Sequence, residues 1–216
     1  EKEARVVGPW PPMWARTADR VTSARALDGD ALSPLKKKKK EIRKEVLGTL
    51  QGLTSSQRAR WSQQLTERLL SSDTYKCSKS LGTYLSMGHE FDTSYLIEQA
   101  QKDGKCIFIP KTYSQGRMDF VEYNPDDLVK TRFGLWEPGT YSQPVDKSVV
   151  NWIHVPGLAW NQVGFRVGYG AGFYDRYLSD YQGETVSTLG SFQLYDFEHQ
   201  TFDIPVKELL IFEESF

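Results

Sequence analysis

The chain has 216 residues, an almost balanced charge (27 Lys and Arg against 28 Asp and Glu, formal net −1) and 39% hydrophobic residues. That length suits one sizeable α/β core better than two small ones, and the charge balance gives no global reason to expect nucleic acid or a membrane surface as a partner. Two cysteines, Cys77 and Cys106, form neither a disulfide framework nor a zinc spacing, and no apolar run approaches the roughly 18 residues of a membrane span, so a cytoplasmic location is expected.

Residues 1–35 differ from the remainder. They are rich in proline, interleave acids and bases, and lack both the apolar stretch of a signal peptide and the acid-poor composition of a transit peptide. They are expected to be a disordered leader or an added extension, with one domain over residues 36–216. Lys36, Lys37 and Lys38 read as a solvated charge run. From Lys39 onward Ile42, Val46, Leu47, Leu50 and Leu53 recur at helical spacing. Thr54 to Gln57 is a capping box that opens a second helix, with Trp61, Leu65 and Leu69 along one face.

Ser80–Ser86 reads as a short strand, followed by a loop containing Glu90 and a helix from about Thr93 that Gly104 ends. Cys106–Ile109 is a buried strand closed by Pro110, and Met118–Tyr123 alternates as a strand after a turn at Ser114–Gly116. Phe133–Gly139 is a loop with apolar anchors. Val149–Val155 is a strand stopped by Pro156 and Gly157, and further strands are expected at Thr185–Leu189 and Glu208–Phe212. Strands alternating with helices predict a three-layer α/β/α single domain with a mainly parallel, open, Rossmann-like sheet.

The most informative stretch is Gly164–Tyr177. Gly168, Gly170 and Gly172 alternate, so no Cβ blocks the approach of a ligand to the main chain, and glycine permits the positive φ of an anion-binding nest. Helix-like Phe173–Leu178 follows, and Arg166 precedes, the only strong cation between Lys147 and Arg176. This outlines a polyphosphate site. It is neither a Walker loop nor a Rossmann fingerprint, because Phe173 stands where each needs another residue. A glycine-rich turn between strand and helix is the alternative for the glycines alone.

Lys39–Arg43, Tyr84–Ser86 with Glu90, Ile109–Lys111, Phe133–Pro138, Val155–Trp160, Gly164–Arg176 and Asp203–Val206 together resemble 5-formyltetrahydrofolate cyclo-ligases, particularly bacterial ones, in the family's order and over more than three quarters of the chain. The resemblance implies an ATP- and Mg²⁺-dependent ligase of one-carbon metabolism. It would close 5-formyltetrahydrofolate to 5,10-methenyltetrahydrofolate, with release of ADP and phosphate after phosphorylation of the formyl oxygen. It further implies a folate substrate with or without added glutamates, no nucleic acid or membrane partner, and a monomer.

Matched residue by residue, the resemblance assigns Lys39, Lys40, Arg43, Arg166, Gly168, Tyr169, Gly170, Ala171, Gly172, Phe173 and Tyr174 to ATP, with Arg166 and Asp175 catalytic. Asp175 and Asp203 are implied as metal contacts. Leu85, Glu90, Tyr169 and Phe173 are implied on the folate side, Glu90 on the pterin. Without the resemblance, Lys39 and Arg43 pass for a solvated helix face and Asp203 for a surface turn residue. Ala171 stands between loop glycines where relatives carry glycine or lysine, and should keep a negative φ. Trp160 replaces a usual phenylalanine, Gln193 offers a polar contact at most, and His89, His154 and His199 read as structural or surface residues. A non-catalytic nucleotide- or folate-binding relative is the alternative. It predicts loss of a phosphate or metal group, yet all are present. A sugar-phosphate isomerase or acyl-CoA transferase sharing the fold would need a catalytic carboxylate that no motif supplies.

Overall fold

The computed structural model describes residues 33–131 and 135–213. The reading of residues 1–32 as a leader, and of Phe133 and Gly134 as part of an anchored loop, lies outside the described residues. Helix α1 (Pro34–Gly52) begins before the expected Lys39. Ser33 caps it, its hydroxyl accepting from the Lys36 N–H at 3.4 Å, and Pro34 brings a helical φ to a position whose N–H would have no partner. The lysine run is therefore helical, and residues 33–35 belong to the helix. Lys36, Lys37 and Lys38 are exposed, as expected, while Lys39 is buried. Helix α2 (Ser55–Ser71) has both halves of its capping box, with Gln57 N–H to Thr54 Oγ1 at 3.2 Å and Thr54 N–H to Gln57 Oε1 at 2.8 Å. Helices α3 (Asp73–Cys77) and α4 (Ser94–Lys102) follow, and Gly104 at φ +68° turns the chain out of α4.

Among the described residues, ten strands form one six-stranded sheet and two ribbons. The sheet strands are β1 (Ser80–Gly82), β2 (Cys106–Thr112), β3 (Met118–Glu122), β6 (Trp152–His154), β9 (Glu184–Gly190) and β10 (Glu208–Phe212). Their order is β10-β9-β6-β1-β2-β3, parallel throughout except for antiparallel β3. β4 (Leu128–Lys130) pairs with β5 (Trp136–Pro138), and β7 (Ala159–Trp160) with β8 (Arg166–Val167). The central strands are apolar on both faces, as sheets covered on both sides require. Leu81, Trp152, Val186 and Leu210 join a core with α1 to α4, whereas Ile153 and Leu189 join a second core with Tyr177 and Leu178 of α5 (Phe173–Leu178). The three layers are thus unequal, one outer layer being a single short helix and irregular segments.

Several strands depart from expectation: β6 keeps only Trp152–His154 of the run Val149–Val155, which starts in a 3-10 turn at Lys147–Val149, β5 lies within the expected loop Phe133–Gly139, and β2 and β1 differ in length. β2 continues through Pro110 to Thr112. Residues 106 and 108 bond toward β1, so the missing N–H at 110 also faces that side, and β1 has already ended there. β1 itself stops at Gly82 instead of Ser86. A Cβ at Gly82 would lie 2.8 Å from the Phe120 ring, and the Thr83 N–H makes the last bond of this segment to β2, at Phe108 O.

The chain leaves β1 toward β2 on one side and returns to β6 on the other, which makes the gap beyond the ends of β1 and β6 the switch point of the sheet. His154, fully buried at the end of β6, sits between Thr83 Oγ1 (3.1 Å from Nδ1) and Thr188 Oγ1 (2.8 Å from Nε2). Burial pulls its pKa down to about 3, so it is a neutral strut linking the segment after β1 to β9. Because its folded pKa lies below the unfolded value near 6.5, its contribution to stability is present above that value and is lost as pH falls toward about 3. His154→Gln should flatten the acid limb of stability against pH over that window, by at most about 1.4 kcal/mol per pH unit for one proton. Thermal melts across pH 3–7 measure it, and an unchanged slope would mean the group is charged in the fold.

Candidate active site

β8 delivers the chain into the glycine loop. Gly170 and Gly172 adopt φ of +106° and +69°, while Ala171 stays out of the positive-φ region, as its Cβ requires. Among the described residues the N–H groups of Gly170, Ala171 and Gly172 donate to no acceptor, and Gly172 gives α5 no side-chain cap. Alternating backbone signs with free N–H donors make a cradle for an anion. Arg176 braces the loop from α5, donating to Ala171 O at 2.6 Å and to Gly116 O at 3.4 Å.

The positive charges come from two elements. On α1, Lys39 and Arg43 are one turn apart and share a face. Arg43 Nε donates to Gly168 O at 2.7 Å, which ties the first helix to the loop, and burial pulls its pKa down from the ordinary arginine value. Lys39 Nζ donates to Asp203 Oδ2 at 2.6 Å, and the same oxygen accepts from Gln200 N–H at 2.9 Å. On β8, Arg166 is only 7% exposed. Its Nη1 donates to Ile204 O at 2.9 Å and its Nη2 to Asp175 Oδ1 at 3.2 Å, while Ile204 N–H donates to that same Asp175 oxygen at 3.0 Å. Burial lowers the pKa of Arg166, and the negative charges of Asp175 and Asp203 oppose the shift. The dipeptide Asp203–Ile204 thus ties Lys39, Asp175 and Arg166 into one network. Asp175 Oδ2 and Asp203 Oδ1 carry no hydrogen bond in it.

The second half of the site lies beyond β1. Glu90, 8% exposed, accepts from Met87 N–H at 2.7 Å and from the Tyr169 hydroxyl at 2.8 Å. Burial raises its pKa, and the two hydrogen bonds oppose this. His89 Nε2 lies 2.9 Å from the same Tyr169 hydroxyl. Buried Tyr84 has its pKa raised well above the ordinary value by burial and by the charge of Glu90. Leu85 and Phe173 are half-buried at the edges of the two cores.

The structure therefore brings Arg43, Arg166, Gly168, Tyr169, Gly170, Ala171, Gly172, Tyr174, Asp175 and Asp203 to one face, with Lys39 and Glu90 at its ends. Lys40, about 100° around the helix from Lys39, is exposed and makes none of these contacts. Gln193 is spent within the fold, accepting from Gly190 N–H at 3.0 Å and donating to Leu158 O at 2.9 Å. His154 is structural, as expected. His89 and Arg176 were not read as site residues: His89 meets Tyr169 80 residues away, and Arg176 braces the loop through Ala171 O and, 60 residues away, Gly116 O. Among the described residues no cluster of three or more His, Cys, Asp or Glu could hold a metal. The two spare aspartate oxygens fit a hard cation that takes its remaining ligands from phosphate and water.

The sequence model of the 5-formyltetrahydrofolate cyclo-ligase family matches residues 35–208. A 5-formyltetrahydrofolate cyclo-ligase of Mus musculus is 31% identical over 148 residues, covering 65% of this chain and 73% of its own length. One from Haemophilus influenzae is 28% identical over 182 residues, covering 81% and 97%. Among solved structures, a 5,10-methenyltetrahydrofolate synthetase of Aquifex aeolicus superposes with a TM-score of 0.70 at 31% identity, over 80% of this chain and 89% of that one. A 5,10-methenyltetrahydrofolate synthetase of Mycoplasma pneumoniae gives 0.66 at 19% identity, over 79% and 96%, a likeness of fold.

A carboxyl whose folded pKa is raised stabilises the fold below its unfolded pKa and loses that contribution as pH rises through the folded value. Glu90→Gln removes the buried charge, so the ligand-free variant should melt roughly 2–4 °C higher than wild type at pH 7.5, the scale of about 1 kcal/mol in a domain of this size. The gain should shrink toward pH 4. A lower melting temperature at pH 7.5 would mean that the Met87 and Tyr169 bonds outweigh desolvation.

Proposed function

The chain belongs to the 5-formyltetrahydrofolate cyclo-ligase family, and from that premise we propose that it closes 5-formyltetrahydrofolate to 5,10-methenyltetrahydrofolate at the expense of ATP, on the residues described above. The observation that carries this is a junction of two adjacent residues. Gly168 O holds Arg43 of the cationic half, and Tyr169 holds Glu90 of the other half. A phosphate on the loop and a ring against Glu90 would therefore be neighbours.

A formamide oxygen is a poor leaving group, so the N10 amine cannot expel it directly. In the proposed sequence the formyl oxygen attacks the γ-phosphorus and the bond to the β-phosphate oxygen breaks, releasing ADP. N10 then adds to the formyl carbon, the carbon–oxygen bond breaks, phosphate departs with that oxygen, and N10 gives up its proton. The protein's part is positioning and charge stabilisation. The N–H groups of Gly170, Ala171 and Gly172 receive phosphate oxygens, Arg43 and Lys39 flank them, and Arg166 sends its unused donors toward the transferring group. Glu90 accepts from the N–H edge of the pterin, with Leu85, Tyr169 and Phe173 around the ring.

Asp175 and Asp203 would hold Mg²⁺ through their spare oxygens, where it would neutralise phosphate charge. The substrate is a folate with or without further glutamates, and the working form a cytoplasmic monomer. No described helix is long and apolar enough to cross a membrane.

Arg166→Ala and Asp175→Asn should each lower kcat by roughly a hundredfold or more, with folate affinity measured without ATP little changed. Asp175→Asn also orphans the buried Arg166 charge, worth about 3–5 kcal/mol of stability, and Arg166→Ala leaves the part-exposed Asp175 unpaired, so melts on the same samples separate misfolding from lost chemistry. Substrate labelled with ¹⁸O in the formyl group should give ¹⁸O-phosphate. Unlabelled phosphate would mean that water attacks ATP, and the phosphorylated-formyl route would be wrong.

A further inference from the structure

Glu90 lines a small cavity of about 10 Å³ together with Trp61, Trp160, Tyr84, Thr188 and Gln193, among others. Both indoles are 1% exposed, and neither Nε1–H has a hydrogen-bond partner. Buried N–H groups are almost always paired, because an unmet donor loses its bond to water and gains nothing in return. Two such donors on one cavity are therefore a feature in need of an acceptor. The volume is that of a single water molecule, and the walls supply more than the two to four polar partners that a trapped water needs.

We infer that this cavity is a site for one ordered water, which accepts from the indole N–H groups of Trp61 and Trp160 and donates to the Glu90 carboxylate. Its second proton goes to Thr188 Oγ1. Two accepted and two donated bonds use the full capacity of a water molecule. Trp61 projects from α2 and Trp160 from β7, so the water ties these two elements to the loop that carries Glu90. The tryptophans are thus positioning residues: through the water they fix the rotamer of Glu90 and favour its ionised form, against the burial that disfavours it. The other groups that act on Glu90 or on its neighbours are Tyr84, His89 and Asp92 from the same loop, Tyr169 and Tyr174 from the glycine segment, and Arg58 of α2 through His89. The link to substrate rests on the reading of Glu90 as the pterin contact; the water site does not.

A high-resolution crystal structure of the wild-type protein should show one density peak within hydrogen-bond distance of both Nε1 atoms, and in solution both indole N–H protons should exchange magnetisation with a long-lived water. A dry cavity, or a peak touching neither indole, overturns the site. Trp160→Phe and Trp61→Phe each remove one donor without removing the ring. Followed by carboxyl NMR, the Glu90 titration should move upward in each variant by roughly half a unit to one unit, the worth of one hydrogen bond. The low-pH limb of 1/KM for 5-formyltetrahydrofolate should move with it, at little change in kcat. A water present with an unmoved Glu90 titration overturns the positioning role. A titration that moves while the KM profile stays fixed overturns the pterin reading of Glu90 and leaves the water site standing. Should either variant fail to fold, the wild-type density and indole exchange decide the site, and the other variant decides the titration.

Discussion

A positive charge can be kept out of water only where the protein itself supplies its solvation, and Arg166 is surrounded on those terms. It receives a carbonyl from Ile204, a carboxylate from Asp175 and the edge of a second negative field from Asp203. Each supporter is held in turn: Asp175 by the Ile204 N–H, and Asp203 by Lys39 and the Gln200 N–H. Removing any one member would leave another buried and uncompensated, which costs more than the pair ever contributes. That mutual dependence fixes the relative position of α1, β8, α5 and the segment before β10. It does so without a disulfide, Cys77 and Cys106 being free and exposed.

The other half of the site is built on a different economy. Glu90 is buried beside apolar and aromatic groups with no cation bonded to it, and only a peptide N–H and a phenol accept the role of solvent. Such a carboxylate is a poor contributor to stability and a good acceptor for a ligand that brings its own N–H groups. The two halves therefore differ in what they hold ready. One is a set of donors prearranged for negative charge, the other an acceptor shielded from bulk solvent. Preorganised groups of both kinds need little rearrangement when charge develops during reaction.

Much of this was legible in the chain because glycine and aromatic spacing are local properties. Of Gly168, Gly170 and Gly172, whose spacing signals a turn that needs positive φ, the last two adopt it and Gly168 does not. The capping box at Thr54 to Gln57, the stop at Gly104 and the strand at Glu208–Phe212 follow from neighbours within a few residues. What escaped depended on distant partners. Pro110 looks like a strand end unless one knows that β1 terminates beside it. Ser80–Ser86 looks like one strand unless Phe120 is placed against Gly82. Lys36 to Lys38 are solvated as their run suggests, but Ser33 and Pro34 already start the helix upstream, and the burial of Lys39 depends on Asp203, 164 residues away. Glu90 as a buried acid, and Gln193 as a side chain exhausted by backbone bonds, are facts of burial that no local pattern carries.

The first helix has a temporal consequence. α1 precedes every strand, yet its two polar anchors, Gly168 and Asp203, lie 125 and 164 residues further along the chain. Contacts of that span form late, since the intervening chain must be ordered before its loop-closure entropy is recovered. On the ribosome α1 is made long before its partners, and Lys39 and Arg43 wait for them until the segments around Gly168 and Asp203 have been synthesised. Competence for catalysis is therefore acquired late in translation and folding, when α1 meets segments made more than a hundred residues after it.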